Sequence, residues 1–465
     1  MMSGHMPEDQ FDVIVLGAGP AGEVAAGRLA DAGLEVALVE RHLVGGECSF
    51  YGCMPSKALL RPAQALAEVA RIPGAAEAVT GTLDAAAALA RRDEVIHDLD
   101  DSVQLPWIEE RGITLVRGIA TLDGEKALVL DDGRRLTARR AIVLAVGSRA
   151  ALPPIDGLAE AVPWTNREIT TAKAVPASLV VIGGGPIGAE MAQAWRTLGA
   201  EVTLLEVADR LLLKEEPFAS AEVTEATEAL GVTVRTGVRI VRVERDADTG
   251  PVRVVLEGDV VVEAAELVVA AGRHVPLDDL GLVTVGVKPD AHGFVEVEDT
   301  MRVPGRDWLY AIGDMNGRAL LTHMGKYQAR IAADDILGRP TSVRLDGARS
   351  PRVTFTEPQV AAVGWTLADA LEAGLQARAV DVTTSGNAGG SFYGRNAPGT
   401  ARLVIDDGRG LVVGATITGA DVQDFLQAAT IAVVGEVPLD VLWHAVPAFP
   451  TRSEIWLRLL EKAGL

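Results

Sequence analysis

Two glycine-rich motifs constrain the fold of this chain more than any other feature. Residues 11–16 form a short apolar segment of β character that leads into Gly17-Ala18-Gly19-Pro20-Ala21-Gly22. Residues 180–182 lead in the same way into Gly183-Gly184-Gly185-Pro186-Ile187-Gly188. In each motif, glycine occupies the first, third and sixth positions, and a helical segment follows. This spacing lets backbone amides at a helix N-terminus approach a pyrophosphate, which predicts two dinucleotide-binding βαβ units.

A glutamate ends the second strand of each unit. Glu40 and Glu206 lie at the same distance in sequence from the last glycine of their motifs. A carboxylate here accepts hydrogen bonds from a ribose diol and repels a 2′-phosphate, so Glu206 favours NADH over NADPH. The nearby Arg210 leaves recognition of a 2′-phosphate open. The alternatives to two working sites are a purely structural glycine turn and a duplicated unit that has lost its ligand.

The chain of 465 residues contains two cysteines, Cys48 and Cys53, in the segment that follows the first unit. A zinc site needs about four Cys or His ligands, and there is no second cysteine pair, so no metal site is predicted. A structural disulfide is rarely needed in a chain long enough to build a large core. The spacing therefore favours a redox pair that cycles between dithiol and disulfide.

Composition and charge exclude several classes of function. A hydrophobic content of 48% with 49 glycines is typical of an α/β enzyme. The net charge of -21 argues against nucleic acid and anionic membranes as partners. There is no apolar run of transmembrane length, and residues 1–10 lack the apolar segment of a signal peptide. We therefore expect no membrane insertion and a cytoplasmic location.

The other segments complete an α/β pattern. The Ala-rich residues 58–108 predict two long helices, and residues 141–146 predict a buried strand. Residues 310–314, Tyr-Ala-Ile-Gly-Asp, predict a strand that ends in Gly-Asp, with a helix at about residues 325–337. From Arg352 onward, alternating β runs and helices predict a separate α+β domain.

Taken in order, these features resemble one family. They are the first glycine unit, a Cys-x4-Cys loop followed by Pro55-Ser56-Lys57, the second glycine unit, the Tyr-Ala-Ile-Gly-Asp run and the C-terminal α+β segment. The chain resembles the flavoprotein disulfide reductases, the group of dihydrolipoamide dehydrogenase, glutathione reductase and mercuric reductase, over essentially its whole length.

The resemblance implies an α/β fold with two Rossmann-like (doubly wound) dinucleotide-binding domains and a C-terminal α+β dimerisation domain. The implied boundaries are 1–150 for an FAD-binding domain and 151–279 for an NAD(H)-binding domain. A central segment, 280–346, would complete the FAD site, and 347–465 would form the dimerisation domain. The resemblance also implies a homodimer in which the C-terminal domain completes the partner's active site.

The resemblance assigns cofactor contacts position by position. The residues implied for FAD are Gly17, Gly19, Gly22, Glu40, Gly46, Lys57, Ala120, Gly147 and Asp314. The residues implied for NAD(H) are Gly183, Gly185, Gly188, Glu206, Val238 and Gly272.

The resemblance also assigns catalytic roles. Cys53 matches the thiol that lies against the flavin as a thiolate, and Cys48 matches the interchange thiol that attacks the substrate. Lys57 and Glu190 match an ion pair beside flavin N5, although a helix-surface position for Glu190 is the alternative. Flavin couples the two electrons of a nicotinamide to the two that a disulfide accepts.

The chain departs from the family near its C-terminus. The family motif His-Pro-Thr-x-Ser-Glu appears here as residues 449–454 with Phe449 in place of the acid–base histidine, whereas Glu454, which would orient that histidine, is present. His444 is a possible replacement base. The loop residues Ser49-Phe50-Tyr51 replace the family's usual Val-Asn-x-Gly filling, and the C-terminal cysteine pair of mercuric reductases is absent.

Three functions fit these features. The first is an FAD-dependent oxidoreductase that passes electrons from NAD(P)H through flavin to the Cys48–Cys53 disulfide and on to a small disulfide acceptor. The second is an NAD(P)H:quinone or acceptor reductase (diaphorase) in which the dithiol is secondary. The third is a low-turnover flavoprotein that serves as a binding or assembly subunit.

Overall fold

The computed structural model describes residues 8–246, 250–395, 397 and 399–465. The polar start of the chain, residues 1–7, lies outside the described residues. The chain forms two compact units. The first contains the described part of Met1–Pro55 with Asp93–Arg149 and Arg273–Gly347. The second contains Ser56–Arg92 and the described parts of Ala150–Gly272 and Ala348–Leu465.

The strands are numbered in chain order. They are β1 (Glu8–Leu16), β2 (Val36–Glu40), β3 (Thr114–Arg117), β4 (Ala120–Leu122), β5 (Ala127–Leu130), β6 (Arg135–Leu144), β7 (Arg149–Ala150), β8 (Ser178–Ile182), β9 (Glu201–Leu205), β10 (Thr233–Arg235), β11 (Ile240–Arg245), β12 (Val252–Leu256), β13 (Val261–Ala264), β14 (Glu266–Val269), β15 (Arg273–His274), β16 (Leu309–Ala311), β17 (Arg352–Thr354), β18 (Gln359–Gly364), β19 (Ala377–Thr383), β20 (Thr400–Asp406) and β21 (Leu411–Gly419).

The helices are numbered in the same way. They are α1 (Pro20–Asp31), α2 (Gly46–Phe50), α3 (Cys53–Arg71), α4 (Ala85–Val95), α5 (Leu105–Glu110), α6 (Asn166–Thr171), α7 (Pro186–Thr197), α8 (Pro217–Ala229), α9 (Thr322–Ile336), α10 (Leu367–Glu372), α11 (Ala388–Ser391), α12 (Leu426–Val434), α13 (Leu439–Leu442) and α14 (Ile455–Ala463).

The first unit is built on a sheet in the order β3-β2-β1-β6-β5-β4, with β16 also paired to β6. Strands β3, β2, β1, β6 and β16 are parallel, whereas β4 and β5 are antiparallel to their neighbours. Val13, Ile14 and Val15 of β1 are fully buried. This continuous apolar run is typical of a parallel strand covered on both faces.

The second unit repeats the nucleotide-binding arrangement. Its parallel sheet has the order β10-β9-β8-β14, in which β8 precedes the second glycine motif as β1 precedes the first. The C-terminal residues form an antiparallel sheet, β17-β18-β21-β20-β19, against which α12 and α14 pack. The predicted fold class, two Rossmann-like halves with an α+β C-terminal domain, is confirmed.

The prediction of two long helices between residues 58 and 108 is wrong in its details. Helix α3 begins at Cys53, because a proline is tolerated in the first turn of a helix, where Pro55 lies. Gly74, with φ +91°, lies in the turn between α3 and α4. Helix α4 then has only 11 residues, and short helical turns followed by α5 replace the rest of the second helix.

No helix in the described ranges combines the length and the apolar character needed to cross a lipid bilayer.

Candidate functional site

The first glycine motif forms a turn that a larger residue does not fit at Gly22. An added Cβ at Gly22 would lie 1.8 Å from the Gly17 carbonyl oxygen, so helix α1 sits directly against the end of β1. At Gly19 an added Cβ would meet no atom of another described residue within 4 Å. The turn is therefore closed towards the protein at Gly22 and open at Gly19, which fits an approaching pyrophosphate.

The carboxylate of Glu40 is fixed beside this turn. Its Oε2 accepts a hydrogen bond from the Ala18 N–H at 2.8 Å, and its Oε1 accepts one from the His42 N–H at 2.7 Å. A carboxylate held by two backbone amides is pre-organised to accept further hydrogen bonds from a ribose diol. The residues of this turn therefore fit the ADP half of FAD.

The second motif repeats this geometry. An added Cβ at Gly188 would lie 1.8 Å from the Gly183 carbonyl oxygen, and one at Gly185 would meet no atom within 4 Å in the part of the chain that the structure describes. Glu206 accepts hydrogen bonds from the Gly184 N–H and, at 2.7 Å, from the Ala208 N–H. The second turn therefore fits a second dinucleotide.

Arg210, which the sequence left open as a reader of a 2′-phosphate, is engaged elsewhere. Its guanidinium donates to the carbonyl oxygens of Glu215 at 3.0 Å and Leu213 at 2.8 Å. Arg235, the last residue of β10, is exposed, and its carbonyl oxygen accepts a hydrogen bond from the Glu206 N–H at 2.9 Å. Within the described chain, Arg210 thus stabilises its own loop.

Asp314, implied for the FAD ribityl chain, has two partners that the sequence did not reveal. The Ser148 hydroxyl donates to Asp314 Oδ2, and Arg273 Nε lies 3.6 Å from the same oxygen. Arg273 also donates to the Ser148 hydroxyl at 2.6 Å and carbonyl oxygen at 2.8 Å. These contacts orient the carboxylate. Because they join distant parts of the sequence, no local pattern could have predicted them.

The other implied cofactor residues lie at strand ends and turns. Gly46 opens α2, where an added Cβ would lie 3.0 Å from Gly19 Cα, so it borders the first turn. Gly147 has an open side and Gly272 a nearly open one, whereas the Ala120 side chain is buried in the core. Val238 is half-buried and its N–H donates to the Glu206 carbonyl oxygen at 3.1 Å. Their cofactor contacts stay predictions.

The two cysteines are both thiols in this structure. Cys53 is exposed at the first position of α3, where the helix dipole favours negative charge, and its Sγ lies 3.3 Å from Thr322 Oγ1. Cys48 is half-buried in α2. A hydrogen bond with Cys53 and burial raise the pKa of the Cys48 thiol above its usual range. The pair is thus arranged for Cys53 to hold the negative charge first.

The unusual filling of the redox loop forms a small apolar core. Phe50 and Tyr51 pack with Ile96, and the Tyr51 hydroxyl lies 3.1 Å from His42 Nε2. The Tyr51 and His42 rings are nearly parallel, with centroids 6.0 Å apart. Tyr51, in the loop between the cysteines, therefore contacts His42, whose backbone N–H donates to Glu40.

Lys57 and Glu190 form an ion pair, with Nζ 2.7 Å from Oε2. Glu190 is only 4% exposed, which removes the alternative of a helix-surface acid. Its Oε1 accepts a hydrogen bond from the Phe355 N–H at 2.8 Å, and Lys57 Nζ lies 4.5 Å from the centroid of the Phe355 ring. These contacts fix the lysine on helix α3; the role of the pair beside a flavin stays a prediction.

In the C-terminal motif, one carboxylate oxygen makes no hydrogen bond to any described residue. Phe449 is 76% exposed, whereas Glu454 is buried, and Glu454 Oε2 makes no hydrogen bond to any described residue. His444 is exposed on the turn after α13, and no hydrogen bond within the described chain joins its ring to Glu454. The role of His444 as a replacement base stays a prediction.

The described residues contain no group of three or more His, Cys, Asp or Glu side chains that could hold a metal ion.

Two family models match the chain. The model described as pyridine nucleotide-disulphide oxidoreductase matches residues 11–332, and the model of the dimerisation domain of these enzymes matches residues 350–459. Together they cover both glycine motifs, the cysteine loop and the C-terminal sheet.

Curated relatives match over nearly their whole length. A dihydrolipoyl dehydrogenase from Chlamydia pneumoniae is 31% identical over 456 residues, which cover 96% of this chain and 95% of the relative. A mercuric reductase from Streptomyces lividans is 33% identical over 452 residues, which cover 93% of each chain.

Solved structures share the fold. The HOCl-induced flavoprotein disulfide reductase RclA from Escherichia coli, as its Cu(II) complex, superposes with a TM-score of 0.85 at 23% identity, covering 97% of this chain and 99% of that one. LpdA from Mycobacterium tuberculosis gives a TM-score of 0.85 at 22% identity, covering 98% and 99%. At this identity the likeness concerns the fold alone.

Proposed function

The chain belongs to the pyridine nucleotide-disulphide oxidoreductase family, and from that membership we propose that it passes electrons from NADH to the Cys48–Cys53 pair and on to an acceptor. The family is FAD- and NAD(P)-dependent, and the flavin, when bound, supplies the coupling between a hydride donor and a dithiol. The dimerisation-domain match supports a homodimer. The division into four segments and the cytoplasmic location stay predictions.

The observation that carries this proposal is the arrangement of the two thiols. Cys53 lies at a helix N-terminus beside the Thr322 hydroxyl, and its hydrogen bond with Cys48 raises the pKa of the Cys48 thiol. A reduced pair with these properties loses its first proton from Cys53 and keeps Cys48 as the thiol. In this state the Cys53 thiolate can donate charge to the flavin, and Cys48 is the protonated interchange thiol.

Two-electron reduction by NADH should produce a broad long-wavelength absorbance from the Cys53 thiolate against the flavin. The Cys48→Ser variant should show this band at neutral pH without reduction, because its Cys53 has no disulfide partner and is available as the thiolate, whereas Cys53→Ser should lose the band. The measurement is an anaerobic absorbance titration with thiol counting. A Cys48→Ser protein with a free thiol and no band would show that Cys53 has been assigned wrongly.

We also propose that NADH is preferred over NADPH. Glu206 is fixed by two backbone amides, and Arg210 is held by the carbonyl oxygens of Leu213 and Glu215, so a 2′-phosphate would meet a carboxylate without that arginine. We expect kcat/KM to be about 10- to 100-fold higher with NADH. Steady-state kinetics with both nucleotides measure this ratio.

Two variants test the cause of this preference. Glu206→Gln should lower the ratio of kcat/KM with NADH to kcat/KM with NADPH, because it removes the repulsion between the carboxylate and a 2′-phosphate. Arg210→Ala should leave this ratio unchanged. A wild-type ratio that favours NADPH would contradict the proposal, and a loss of that NADPH activity in Arg235→Ala would identify the exposed arginine as the phosphate reader.

A quinone is the second candidate acceptor, and Phe449 is the observation that favours it. Electron transfer to a quinone needs no acid–base residue at position 449, whereas exchange with a disulfide does. A binding or assembly role with little turnover is disfavoured by the two well-formed glycine turns. NADH oxidation with a quinone and with small disulfides separates these functions.

A further inference from the structure

Tyr51, which lies between the two cysteines, contacts the chain segment that follows strand β2. Tyr51 is 8% exposed and packs with Phe50 and Ile96 in the small apolar core, against which Leu43 also packs. The Tyr51 hydroxyl lies 3.1 Å from His42 Nε2, and the centroids of the two nearly parallel rings are 6.0 Å apart. The redox loop therefore holds the segment that contains His42 and Leu43.

The backbone of His42 is held by two other side chains. Its N–H donates to Glu40 Oε1 at 2.7 Å, and its carbonyl oxygen accepts a hydrogen bond from the Arg117 guanidinium at 2.7 Å. Arg117 is in turn paired with Asp101 at 2.7 Å. Because Glu40 and Arg117 bind the backbone and Tyr51 contacts the ring, the position of His42 affects the Glu40 carboxylate directly.

These contacts continue to the first glycine turn. Glu40 Oε2 accepts a hydrogen bond from the Ala18 N–H at 2.8 Å, so contacts run without a break from Tyr51 through His42 and Glu40 to this turn, within the first compact unit. A group that binds a ligand needs supporting contacts that fix it within about 0.5 Å. Tyr51 belongs to the loop filling in which this chain departs from the family, and these contacts offer a role for that departure.

We propose that Tyr51 is a positioning residue of the FAD site, which acts through His42 to hold Glu40 for the adenosine ribose. In this arrangement Glu40 is the group that binds the ribose, and Tyr51 and His42 act through it. The inference deepens the proposed function and rests on it, because it requires FAD at the first glycine turn.

The hold on Glu40 depends on the redox state of the cysteine pair. When the two thiols give two electrons and two protons to an acceptor disulfide, an S–S bond forms between Cys48 and Cys53 and the acceptor becomes two thiols. This bond replaces the hydrogen bond between the two cysteines and draws together the ends of the loop that carries Tyr51. We therefore expect the Tyr51–His42 contact to support FAD binding in the dithiol protein and to contribute less in the disulfide protein.

The test is the release of FAD on dilution of the holoenzyme, followed by flavin fluorescence, in the dithiol form maintained with dithiothreitol and in the disulfide form. Tyr51→Phe removes the hydroxyl and keeps the ring, so it should weaken FAD binding about 3- to 10-fold in the dithiol form, the usual effect of one hydrogen bond. In the disulfide form the two proteins should differ by less than about 2-fold. Both proteins keep both cysteines, so any direct contact between a thiolate and the flavin cancels in the comparison.

Displacement of FAD by ADP locates the effect at the adenosine end of the site. Because ADP shares that half of FAD, its affinity for the first turn should fall by the same factor. The ratio of ADP to FAD that displaces half of the bound flavin should therefore be unchanged in Tyr51→Phe. Displacement at a lower ratio of ADP to FAD in this variant would place the effect at the flavin end and overturn the inference.

Two further variants keep the result specific. His42→Phe keeps a ring against Tyr51 without the hydrogen-bonding nitrogen, so it should match Tyr51→Phe, and the double variant should lose no more than either single change. His292→Phe, at another exposed histidine of the same unit, should leave FAD binding unchanged. Equal FAD binding by the wild type and Tyr51→Phe in the dithiol form, or equal weakening in both forms, would overturn the inference. FAD release needs no NADH, so failure of NADH to reduce the cysteine pair would remove the proposed function alone.

Discussion

The Gly188→Ala variant is expected to lose reduction by NADH while it keeps bound FAD. An added Cβ would lie 1.8 Å from the Gly183 carbonyl oxygen, so either the turn or the start of helix α7 must move. A displacement of about 1 Å in a positioning element lowers reaction rates by roughly 10²-fold. The FAD turn at Gly22 belongs to the other compact unit and is not altered. Anaerobic stopped-flow absorbance with NADH measures the rate.

The matched control is Gly185→Ala in the same turn. Its Cβ would lie within 4 Å of no atom in the described ranges, so the turn and helix should keep their places and the thermal midpoint should match that of the wild type. Any loss of NADH binding in Gly185→Ala would then come from a direct collision with the dinucleotide. Reduction of Gly188→Ala by NADH at the wild-type rate would show that this turn does not bind the nucleotide.

The parts of the fold that the sequence predicted are those encoded locally. The strand, glycine turn, helix and acid of each nucleotide unit lie within a few tens of residues, and each constrains the backbone directly. Their register in the structure, with β8 and β9 repeating β1 and β2, follows from that pattern. Helix α3 began earlier than expected because Pro55 falls in its first turn.

The contacts that decide chemistry at the site join residues far apart in sequence. Thr322 reaches Cys53 across 269 positions, and Arg273 reaches Ser148 across 125. Sequence spacing could not show whether Arg210 binds a 2′-phosphate. Its contacts with the carbonyl oxygens of Leu213 and Glu215 form only in the folded chain.

The wild-type protein is expected to reduce quinones well, and lipoamide or glutathione disulfide slowly. A leaving thiolate must be protonated and the attacking thiol deprotonated, and Phe449 does neither. A positioned acid–base group contributes about 10²–10⁴-fold to such steps. If the wild-type protein reduces lipoamide at a rate typical of dihydrolipoyl dehydrogenases, this expectation is wrong. The His444→Ala variant would then show whether that exposed histidine acts in place of the missing one.

Phe449→His should raise the rate of disulfide turnover by a large part of the about 10²–10⁴-fold that a positioned acid–base group contributes. It should leave quinone turnover nearly unchanged. The Phe449 ring is 76% exposed, so an imidazole displaces little packing within its own chain. Glu454 Oε2, buried and without a hydrogen bond in the described chain, can accept a bond from the new ring N–H and orient it. Steady-state rates with lipoamide and with a quinone measure the two effects.

The control for Phe449→His follows from the same contacts. In Phe449→His with Glu454→Gln, the imidazole loses its charged partner, so most of the gain should disappear. If Phe449→His raises quinone and disulfide turnover equally, the substitution acts through packing or dimerisation, and position 449 has no part in proton transfer.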